Sequence, residues 1–250
     1  MLNHQTAERL RHLRLWGMAD AFLAQLGQPD VQVLSFEERF GLLVDQEATY
    51  RDDRRLKRLL KEAKLRQQAC LEDIDFSMGR GLDRPLLRSL GTGLWVRQRQ
   101  NVLITGPTGV GKTYLACALA NAACRQGFTA RYYRVPRLLT ELAVSRGDGS
   151  YNRLLTRLSR VEVLVLDDWG LTPLSAAEGR ELLEVIEDRC QTGSTLVTSQ
   201  LPVAQWHGVM GDPSVADAIL DRLVHHAHRI ELKGESMRKV KNKPAAQEEA

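Results

Sequence analysis

The sequence lacks a hydrophobic run long enough to cross a membrane. Its longest apolar stretches, such as Val163–Leu166, are far shorter than the roughly 20 residues of a spanning helix. The amino-terminal residues, MLNHQTAERLRHLRLW, also lack the apolar segment of a signal peptide. These absences favour a cytoplasmic protein with no membrane partner.

Cysteine is scarce and is not arranged for a disulfide framework or a zinc site. The chain has four cysteines, which are widely spread and form no CxxC pair: Cys70, Cys117, Cys124 and Cys190. We therefore expect reduced thiols. Three histidines, His225, His226 and His228, lie close together, but no cysteine or second histidine pair completes a metal site. We interpret them as surface or packing residues.

Charge of one sign is in small excess over the whole chain, +4, but it is unevenly distributed. Residues 51–66 carry eight Lys and Arg against three Asp and Glu, and residues 233–243 carry five against one. Basic patches are the electrostatic footprint of a phosphate-rich partner, although a basic helix face also occurs on proteins that never contact nucleic acid. The charge pattern alone leaves DNA or RNA binding open.

Residues 1–75 have a helical pattern throughout, with a break at residues 28–30. One helical face carries Phe36, Phe40, Leu43 and Tyr50, and the i, i+3, i+4, i+7 spacing continues through Leu56, Leu59, Leu60 and Ala63. We predict a small all-α amino-terminal domain over residues 1–75. A glycine-punctuated connector follows, with a short helix near Leu86.

From Gln100 onward, short apolar runs alternate with helical segments. The predicted strands are Asn101–Thr105, Ala130–Val135, Val161–Asp167, Thr195–Ser199 and Arg229–Leu232. Helices are predicted from Lys112, Arg137 and Ser175, and over Val215–His226. This alternation predicts an α/β fold with a parallel sheet flanked by helices. We assign the core to residues 76–238 and a flexible basic and polar tail to residues 239–250.

Residues 106–113 read GPTGVGKT and match the phosphate-loop pattern GxxxxGK[ST] completely. Glycines let the loop wrap around a phosphate with its N–H groups pointing inward, and the following helix adds a partial positive charge. Lys112 is expected to reach the β and γ phosphates, and the Thr113 hydroxyl to bind Mg²⁺. The predicted cofactor-binding residues are Gly106, Pro107, Thr108, Gly109, Val110, Gly111, Lys112, Thr113 and Tyr114.

A second acidic element follows the buried strand VLVL. We expect Asp167 to hold Mg²⁺ and Asp168 to orient and polarise the attacking water, since ligands bind at the carboxyl ends of parallel strands. The alternative is an acidic pair that caps the next helix. Two polar residues near the end of a later strand, Thr198 and Gln200, are candidates to contact the γ-phosphate or its water.

The string Asp167–Gly170 also spells DxxG, a γ-phosphate contact of GTPases. That alternative needs an NKxD-type guanine reader after a later strand. The only Asn-Lys pair, Asn242-Lys243, is followed by Pro-Ala, so the required carboxylate is missing. The motifs therefore favour ATP with Mg²⁺ over GTP.

With GPTGVGKT, VLVLDD and TLVTSQ in order, residues 100–238 resemble an AAA+ ATPase of the clade that contains DnaA and DnaC. The leader KEAKLRQQACLEDIDF, the segment LDDWGL and the string AILDRL further resemble IstB. IstB is the ATPase subunit of a two-gene bacterial insertion sequence and works beside its transposase IstA. The similarity covers nearly the whole chain.

The resemblance implies roles that the spacing alone does not indicate. Arg222 corresponds to an arginine finger that reaches the γ-phosphate of a neighbouring subunit, with an ordinary surface arginine as the alternative reading; Arg238 is a weaker second candidate. We expect no carboxyl-terminal helical lid. The helical amino-terminal segment would serve assembly of a homo-oligomer and contact with DNA or the transposase, and its basic face supplies candidate DNA-binding residues: Arg54, Arg55, Arg58 and Lys61.

The preferred reading is an ATPase that assembles on double-stranded DNA and recruits or activates an IstA-like transposase. A DnaC-like helicase loader is the first alternative and predicts a preference for single-stranded DNA. A stand-alone small-molecule kinase is the second, and it requires a lid and an acceptor pocket. Neighbouring genes separate the first two readings: a transposase gene favours transposition, and a replication operon favours helicase loading.

Overall fold

A computed structural model describes residues 2–77 and 79–237, which divide into two compact units. The first unit ends at Arg58 and the second begins at Leu59. The predicted domain boundary after residue 75 stays a prediction. The predicted tail over residues 239–250 and the second finger candidate, Arg238, lie outside the described residues.

The first unit is helical. Its helices are α1 (Leu2–His12), α2 (Trp16–Leu26), α3 (Pro29–Gln32) and the greater part of α4 (Phe36–Ala63). Helices α2 and α4 approach closely at Gly17, where a Cβ atom would lie 2.7 Å from the Gln46 carbonyl oxygen. The buried Glu47 carboxylate accepts the Met18 N–H at 3.1 Å. The absence of a Cβ atom at Gly17 and the hydrogen bond between Glu47 and Met18 therefore fix the packing of α2 on α4.

Helix α4 carries both apolar groups that the sequence predicts on helical faces. Phe36 and Phe40 stack with ring centroids 6.0 Å apart, but they are 75% and 49% exposed. Leu59 and Ala63, near the end of the helix, are buried. Only the second apolar group therefore contributes buried side chains, although both have helical spacing.

The prediction that the helical pattern extends to residue 75 is wrong beyond Ala63. Lys64 adopts a left-handed φ of 49°, and residues 64–77 and 79–83 form neither helix nor strand. The short helix predicted near Leu86 is present as α5 (Arg84–Gly91), where the Asp83 carboxylate accepts the Leu86 N–H at 3.4 Å. Helix α6 (Leu94–Arg97) leads into the sheet.

The predicted parallel sheet is confirmed, with five strands in the order β2-β3-β4-β1-β5. The strands are β1 (Asn101–Thr105), β2 (Ala130–Arg134), β3 (Val163–Trp169), β4 (Ser194–Ser199) and β5 (Ala227–Glu231). The connecting helices are α7 (Lys112–Arg125), α8 (Val135–Gly147), α9 (Tyr151–Ser159), α10 (Ala176–Arg189) and α11 (Pro213–Val224). This order places β1 between β4 and β5.

Several element boundaries differ from the predicted ones. Val135 begins α8 instead of ending β2, and β3 continues through both acids to Trp169. Helix α9 was not predicted, although Leu154 and Leu158, one turn apart, are buried in the core. Short 3₁₀ turns at Val203–Gln205 and His207–Val209 precede α11.

The core lies on the sheet. Side chains of β1, β3 and β4, including Leu103, Leu164 and Val197, pack with leucines of α8 to α11, while α7 packs on the sheet and is buried over most of its length. Arg189 is buried at the amino ends of β3 and β4, and it donates to the Val161 and Ser194 carbonyls, each at 2.6 Å. Burial lowers the pKa of Arg189 to about 10. Within the described residues, no helix is both long enough and apolar enough to cross a bilayer.

Candidate nucleotide-binding site

The phosphate-binding loop joins the end of β1 to the start of α7, where the sequence predicts it. Gly109 and Gly111 have φ values of 87° and 102°, which side chains disfavour. A Cβ atom at Gly109 would collide with Ser236, because the chain beyond β5 folds back over the loop. Met237 donates its N–H to the Gly109 carbonyl oxygen at 3.0 Å. The glycine therefore admits another part of the chain as well as a phosphate.

Lys112 begins α7 and is buried in the loop. Its Nζ donates to the carbonyl oxygens of Gly106 at 2.7 Å and Pro107 at 2.8 Å. Burial lowers the pKa of Lys112, and the charges of Asp167 and Asp168 oppose that shift. A phosphate in the loop would offer this ammonium group stronger, charged acceptors than the two carbonyls.

Thr113 and Asp167 meet because α7 begins at the edge of the sheet where β3 ends. The Thr113 Oγ1 atom lies 3.1 and 3.0 Å from the two Asp167 carboxylate oxygens. The Thr198 hydroxyl, at the end of β4, donates to Oδ1 of Asp167, and the Tyr132 hydroxyl, from β2, donates to Oδ2. Asp167 is fully buried, so these hydroxyls replace the water that a carboxylate needs.

The donor set of Thr113 and Asp167 fits Mg²⁺. A hydroxyl and a carboxylate beside a phosphate-binding loop are the oxygen ligands that this hard cation binds together with substrate phosphates and water. Both oxygens belong to side chains that neighbouring groups already hold in place. These two residues are therefore the candidates to hold the metal.

Asp168 has an unusual backbone conformation. Its φ is 62°, and the pairing of β3 with β4 is irregular between Leu166 and Trp169. In a regular strand, side chains of adjacent residues point to opposite faces of the sheet, and an irregularity changes where they point. The Asp168 carboxylate accepts the Arg134 Nε–H at 2.6 Å. The Asp168 backbone N–H donates to Thr198 Oγ1 at 3.3 Å. The predicted water-polarising acid is therefore held by a guanidinium group from β2.

The two polar candidates of β4 occupy different places. Thr198 is buried, and its hydroxyl contacts Asp167. Gln200 lies at the mouth of the loop, where Oε1 accepts the Thr108 hydroxyl at 2.8 Å. The geometry places Gln200 beside the loop and Thr198 within the carboxylate network; their contacts with the γ-phosphate or its water stay predictions.

The other predicted loop residues have ordinary positions for their types. The buried Val110 offers its carbonyl oxygen to Arg80 Nη1 at 3.3 Å. Tyr114 is half-buried in the first turn of α7. A contact of Tyr114 with the cofactor stays a prediction.

Three residues of this site were missed by the sequence reasoning: Arg66, Tyr132 and Arg134. Arg66 Nη1 lies 3.5 Å from Oδ2 of Asp167 and 3.9 Å from Oδ2 of Asp168. Tyr132 and Arg134 lie on β2, and Arg134 is in register with Asp167. Tyr132 and Arg134 could have been found as polar side chains near the end of β2. That inference, however, requires knowing that β2 pairs with β3.

Arg222 lies far from the phosphate loop of its own chain. Its guanidinium donates to the Ala218 carbonyl oxygen at 2.9 Å and to the Glu187 carboxylate at 2.8 Å. The Asn101 side chain, at the start of β1, donates to the Arg222 carbonyl at 3.0 Å. The loop follows the other end of β1, roughly 13 Å away for a five-residue strand. This placement agrees with a finger that acts on another subunit, which stays a prediction.

The predicted DNA-binding residues Arg54, Arg55, Arg58 and Lys61 are all exposed on α4. Their contact with DNA stays a prediction. All four cysteines are free thiols. Among the residues that the structure describes, no group of three His, Cys, Asp or Glu side chains could hold a metal ion.

The sheet order, the phosphate loop after β1 and the carboxylates on β3 define a phosphate-loop protein with a parallel α/β core. The sequence profile of the IstB-like ATP binding proteins matches residues 8–246. The chain therefore belongs to this family, and the ATPase assignment is confirmed. The same membership removes the small-molecule kinase from consideration.

Similar proteins are associated with insertion sequences. The chain is 50% identical to the insertion sequence ATP-binding protein y4pL of Sinorhizobium fredii over 239 residues, which are 96% of this chain and 98% of that protein. It is 54% identical to the insertion sequence IS1162 ATP-binding protein of Pseudomonas fluorescens, over 81% of this chain and 88% of that protein. Nearly the full length of these relatives is therefore matched.

The fold is similar to those of replication proteins. The crystal structure of DnaI matches with a TM-score of 0.58 at 24% identity, over 71% of this chain and 94% of that one. DnaA of Aquifex aeolicus, bound to AMPPCP, matches with a TM-score of 0.57 at 20% identity, over 71% of this chain and 54% of that one. These matches confirm the predicted fold, because the core of this chain is similar to those of DnaI and DnaA.

Proposed function

We propose that this chain is the ATP-dependent helper of a DNA transposition reaction. Subunits loaded with ATP and Mg²⁺ would assemble on duplex DNA and recruit or activate an IstA-like transposase. The observation that carries the proposal is the separation of the two halves of the site. Lys112, Thr113 and Asp167 converge within one subunit, whereas Arg222 lies at the opposite edge of the sheet.

This separation makes the γ-phosphate a signal between subunits. A finger that reaches a neighbour's site gains a charged partner only when the γ-phosphate is present, so ATP and ADP stabilise different assemblies. Hydrolysis would then reset or disassemble the complex. The names of the relatives, as ATP-binding proteins of insertion sequences, support transposition as the process that uses this switch.

The residues have distinct tasks in hydrolysis. Lys112 would neutralise the β and γ phosphates, and Thr113 and Asp167 would hold Mg²⁺, which would offset the negative charge of the phosphates. Asp168 would orient the attacking water and accept its proton. Arg222 of the neighbouring subunit would stabilise the charge that develops on the γ-phosphate, since its guanidinium is always charged and can bind two oxygens.

The proposal is tested by asking which nucleotide drives assembly on DNA. We expect oligomers to form on duplex DNA with a slowly hydrolysed ATP analogue and Mg²⁺, but not with ADP, as measured by sedimentation velocity. The Lys112→Ala variant serves as a control that lacks the nucleotide response. Equal assembly with ATP analogue and ADP would contradict the proposal.

A helicase loader is the second candidate, because the crystal structure of the DnaC helicase loader has the same fold, with a TM-score of 0.54 at 21% identity. The same sedimentation assay separates the two functions when single-stranded DNA of equal length is added as competitor. Transposition predicts that assemblies stay on the duplex. Transfer to the single strand would favour helicase loading.

A further inference from the structure

Arg66 brings a positive charge to the acidic pair from outside the ATPase sheet. It lies in the irregular segment that follows α4, two residues after Lys64 with its left-handed backbone. Its Nη1 atom is 3.5 Å from Oδ2 of Asp167, the residue assigned to Mg²⁺, and 3.9 Å from Oδ2 of Asp168. The guanidinium therefore lies within ion-pair distance of both carboxylates.

The contact joins a partly exposed arginine to a buried carboxylate that belongs to a hydrogen-bond network. Asp167 Oδ2 also accepts the buried Tyr132 hydroxyl, and the Arg66 side chain is 45% exposed. The Tyr132 hydroxyl is the main cause that raises the pKa of Arg66, together with the charges of Asp167 and Asp168. Backbone N–H groups of Arg66 and Gln67 also face the Cys117 thiol on α7.

A carboxylate buried as deeply as Asp167 needs a compensating charge. The hydroxyls that contact it supply dipoles but no net charge, whereas a guanidinium within 4 Å stabilises the ionised form directly. Mg²⁺ would supply the same compensation more strongly. Two cations beside one carboxylate repel each other, so Arg66 and the metal cannot both be held there at full strength.

We propose that Arg66 is a tethered cation that holds Asp167 when no metal is bound and that Mg²⁺ with nucleotide displaces it. Arg66 is thus a positioning residue that sets the Mg²⁺ concentration needed for nucleotide loading. Its displacement frees residues 64–68, so the segment directly after α4 reports the loading state. The inference rests on the proposed role of Asp167 as a metal ligand.

The test is a Mg²⁺ titration of nucleotide binding at equilibrium, with a fluorescent ADP analogue so that no hydrolysis is involved. We expect Arg66→Gln to lower the half-saturating Mg²⁺ concentration about three- to tenfold, a modest effect because the guanidinium is partly screened by water. Arg66→Lys restores the charge and should return the value toward wild type. Lys64→Gln removes an exposed charge two residues away and should change nothing.

Hydrogen exchange of the wild-type chain gives an independent readout of the displacement. The amides of Arg66 and Gln67 should exchange faster with ADP and Mg²⁺ than with ADP and a chelator. The same comparison on Arg66→Gln should show fast exchange in both conditions, since the guanidinium no longer ties the segment to Asp167.

The outcomes separate this inference from the proposed metal site. If wild type needs Mg²⁺ and Asp167→Asn raises that need, the metal site stands. An unchanged or higher Mg²⁺ requirement in Arg66→Gln would then overturn the inference alone. If wild type binds the analogue equally with and without Mg²⁺, both the metal assignment and the inference fail.

Discussion

The carboxyl edge and the amino edge of the sheet hold charged side chains in very different states. At the carboxyl edge Asp167 is fully buried, and hydroxyls of three different elements contact it. At the amino edge Arg222 is 26% exposed and pairs with Glu187, which is 57% exposed. An exposed ion pair contributes only about 0–1 kcal/mol, whereas a buried network is held by every member. The side chains around Asp167 are therefore preformed, whereas the proposed finger, Arg222, would be able to exchange its partner.

This contrast fits the proposal that the chain binds ATP alone and responds to a neighbouring subunit. Strong fixation at the loop keeps Lys112, Thr113 and Asp167 in place for the phosphates and the metal. If Arg222 is the proposed finger, it would have to leave Glu187 to reach a γ-phosphate.

The largest effect is expected at the carboxyl edge. Lys112→Ala should lose ATP binding and hydrolysis together, because no other side chain of the loop supplies a charge to the β and γ phosphates. We expect affinity for a fluorescent ATP analogue to fall about a hundredfold or more. Lys57→Ala, an exposed lysine of α4, is the control and should keep DNA-free activity. If Lys112→Ala binds the ATP analogue with wild-type affinity, the claim that the carboxyl edge is preformed for the nucleotide is wrong.

The Asp168→Asn variant separates ATP binding from ATP hydrolysis at the carboxyl edge. The variant should bind ATP like wild type but release phosphate about a hundredfold more slowly, since an amide cannot accept the proton of the attacking water. Asp188→Asn, an exposed residue of α10, makes the same chemical change and should have no effect. Turnover at the wild-type rate would mean that the roles of Asp167 and Asp168 are assigned wrongly.

A third prediction concerns α4, which belongs to neither edge. If the arginines of α4 contact phosphates, duplex binding is insensitive to sequence and weakens steeply with salt. Replacing Arg54, Arg55 and Arg58 with Ala should reduce the log–log salt slope by roughly two to three units and spare DNA-free ATPase activity.

The matched control for this triple variant removes three exposed arginines from separate helices: Arg9, Arg88 and Arg180. It takes away the same charge and should leave the slope unchanged. If both triple variants reduce the slope equally, net charge and not the α4 face controls binding. An unchanged slope in the α4 variant, with binding intact, would move the DNA surface elsewhere.

The smallest effect is expected at the amino edge. Glu187→Gln removes the charged partner of Arg222, but Glu187 is 57% exposed, so the free energy of unfolding should change by less than about 1 kcal/mol. Urea denaturation measures this value, and Thr192→Ser on the following turn is a mild reference change. A loss of several kcal/mol would show that Arg222 is fixed in place, and the contrast between the edges would fail.

The sequence predicts those parts of the site whose residues are consecutive in the chain. The phosphate loop spans eight successive residues with fixed geometric needs, and the acids directly follow a buried apolar run, so both could be placed without knowing the fold. The parallel sheet followed from the alternation of strands and helices. Helix α9 was missed because only one helix was predicted between β2 and β3, although Gly147 and Gly149 mark a break before it.

The contacts that could not be predicted join segments distant in sequence. Arg66 reaches Asp167 only because the chain leaves α4 at Lys64, where neither glycine nor asparagine marks the helix end. Arg134 reaches Asp168 only because β2 pairs with β3. Such contacts form only when the tertiary structure brings distant segments together, and a single sequence does not show directly which segments meet.

The shared site is the central claim, and mixing two inactive variants tests it most directly. Lys112→Ala keeps an intact finger, and Arg222→Ala keeps an intact phosphate loop. The account predicts that each alone is nearly inactive, that the mixture regains part of the wild-type ATPase rate, and that wild-type specific activity rises with protein concentration. No regain on mixing, together with concentration-independent wild-type activity, would show that each subunit hydrolyses ATP alone and would contradict the account.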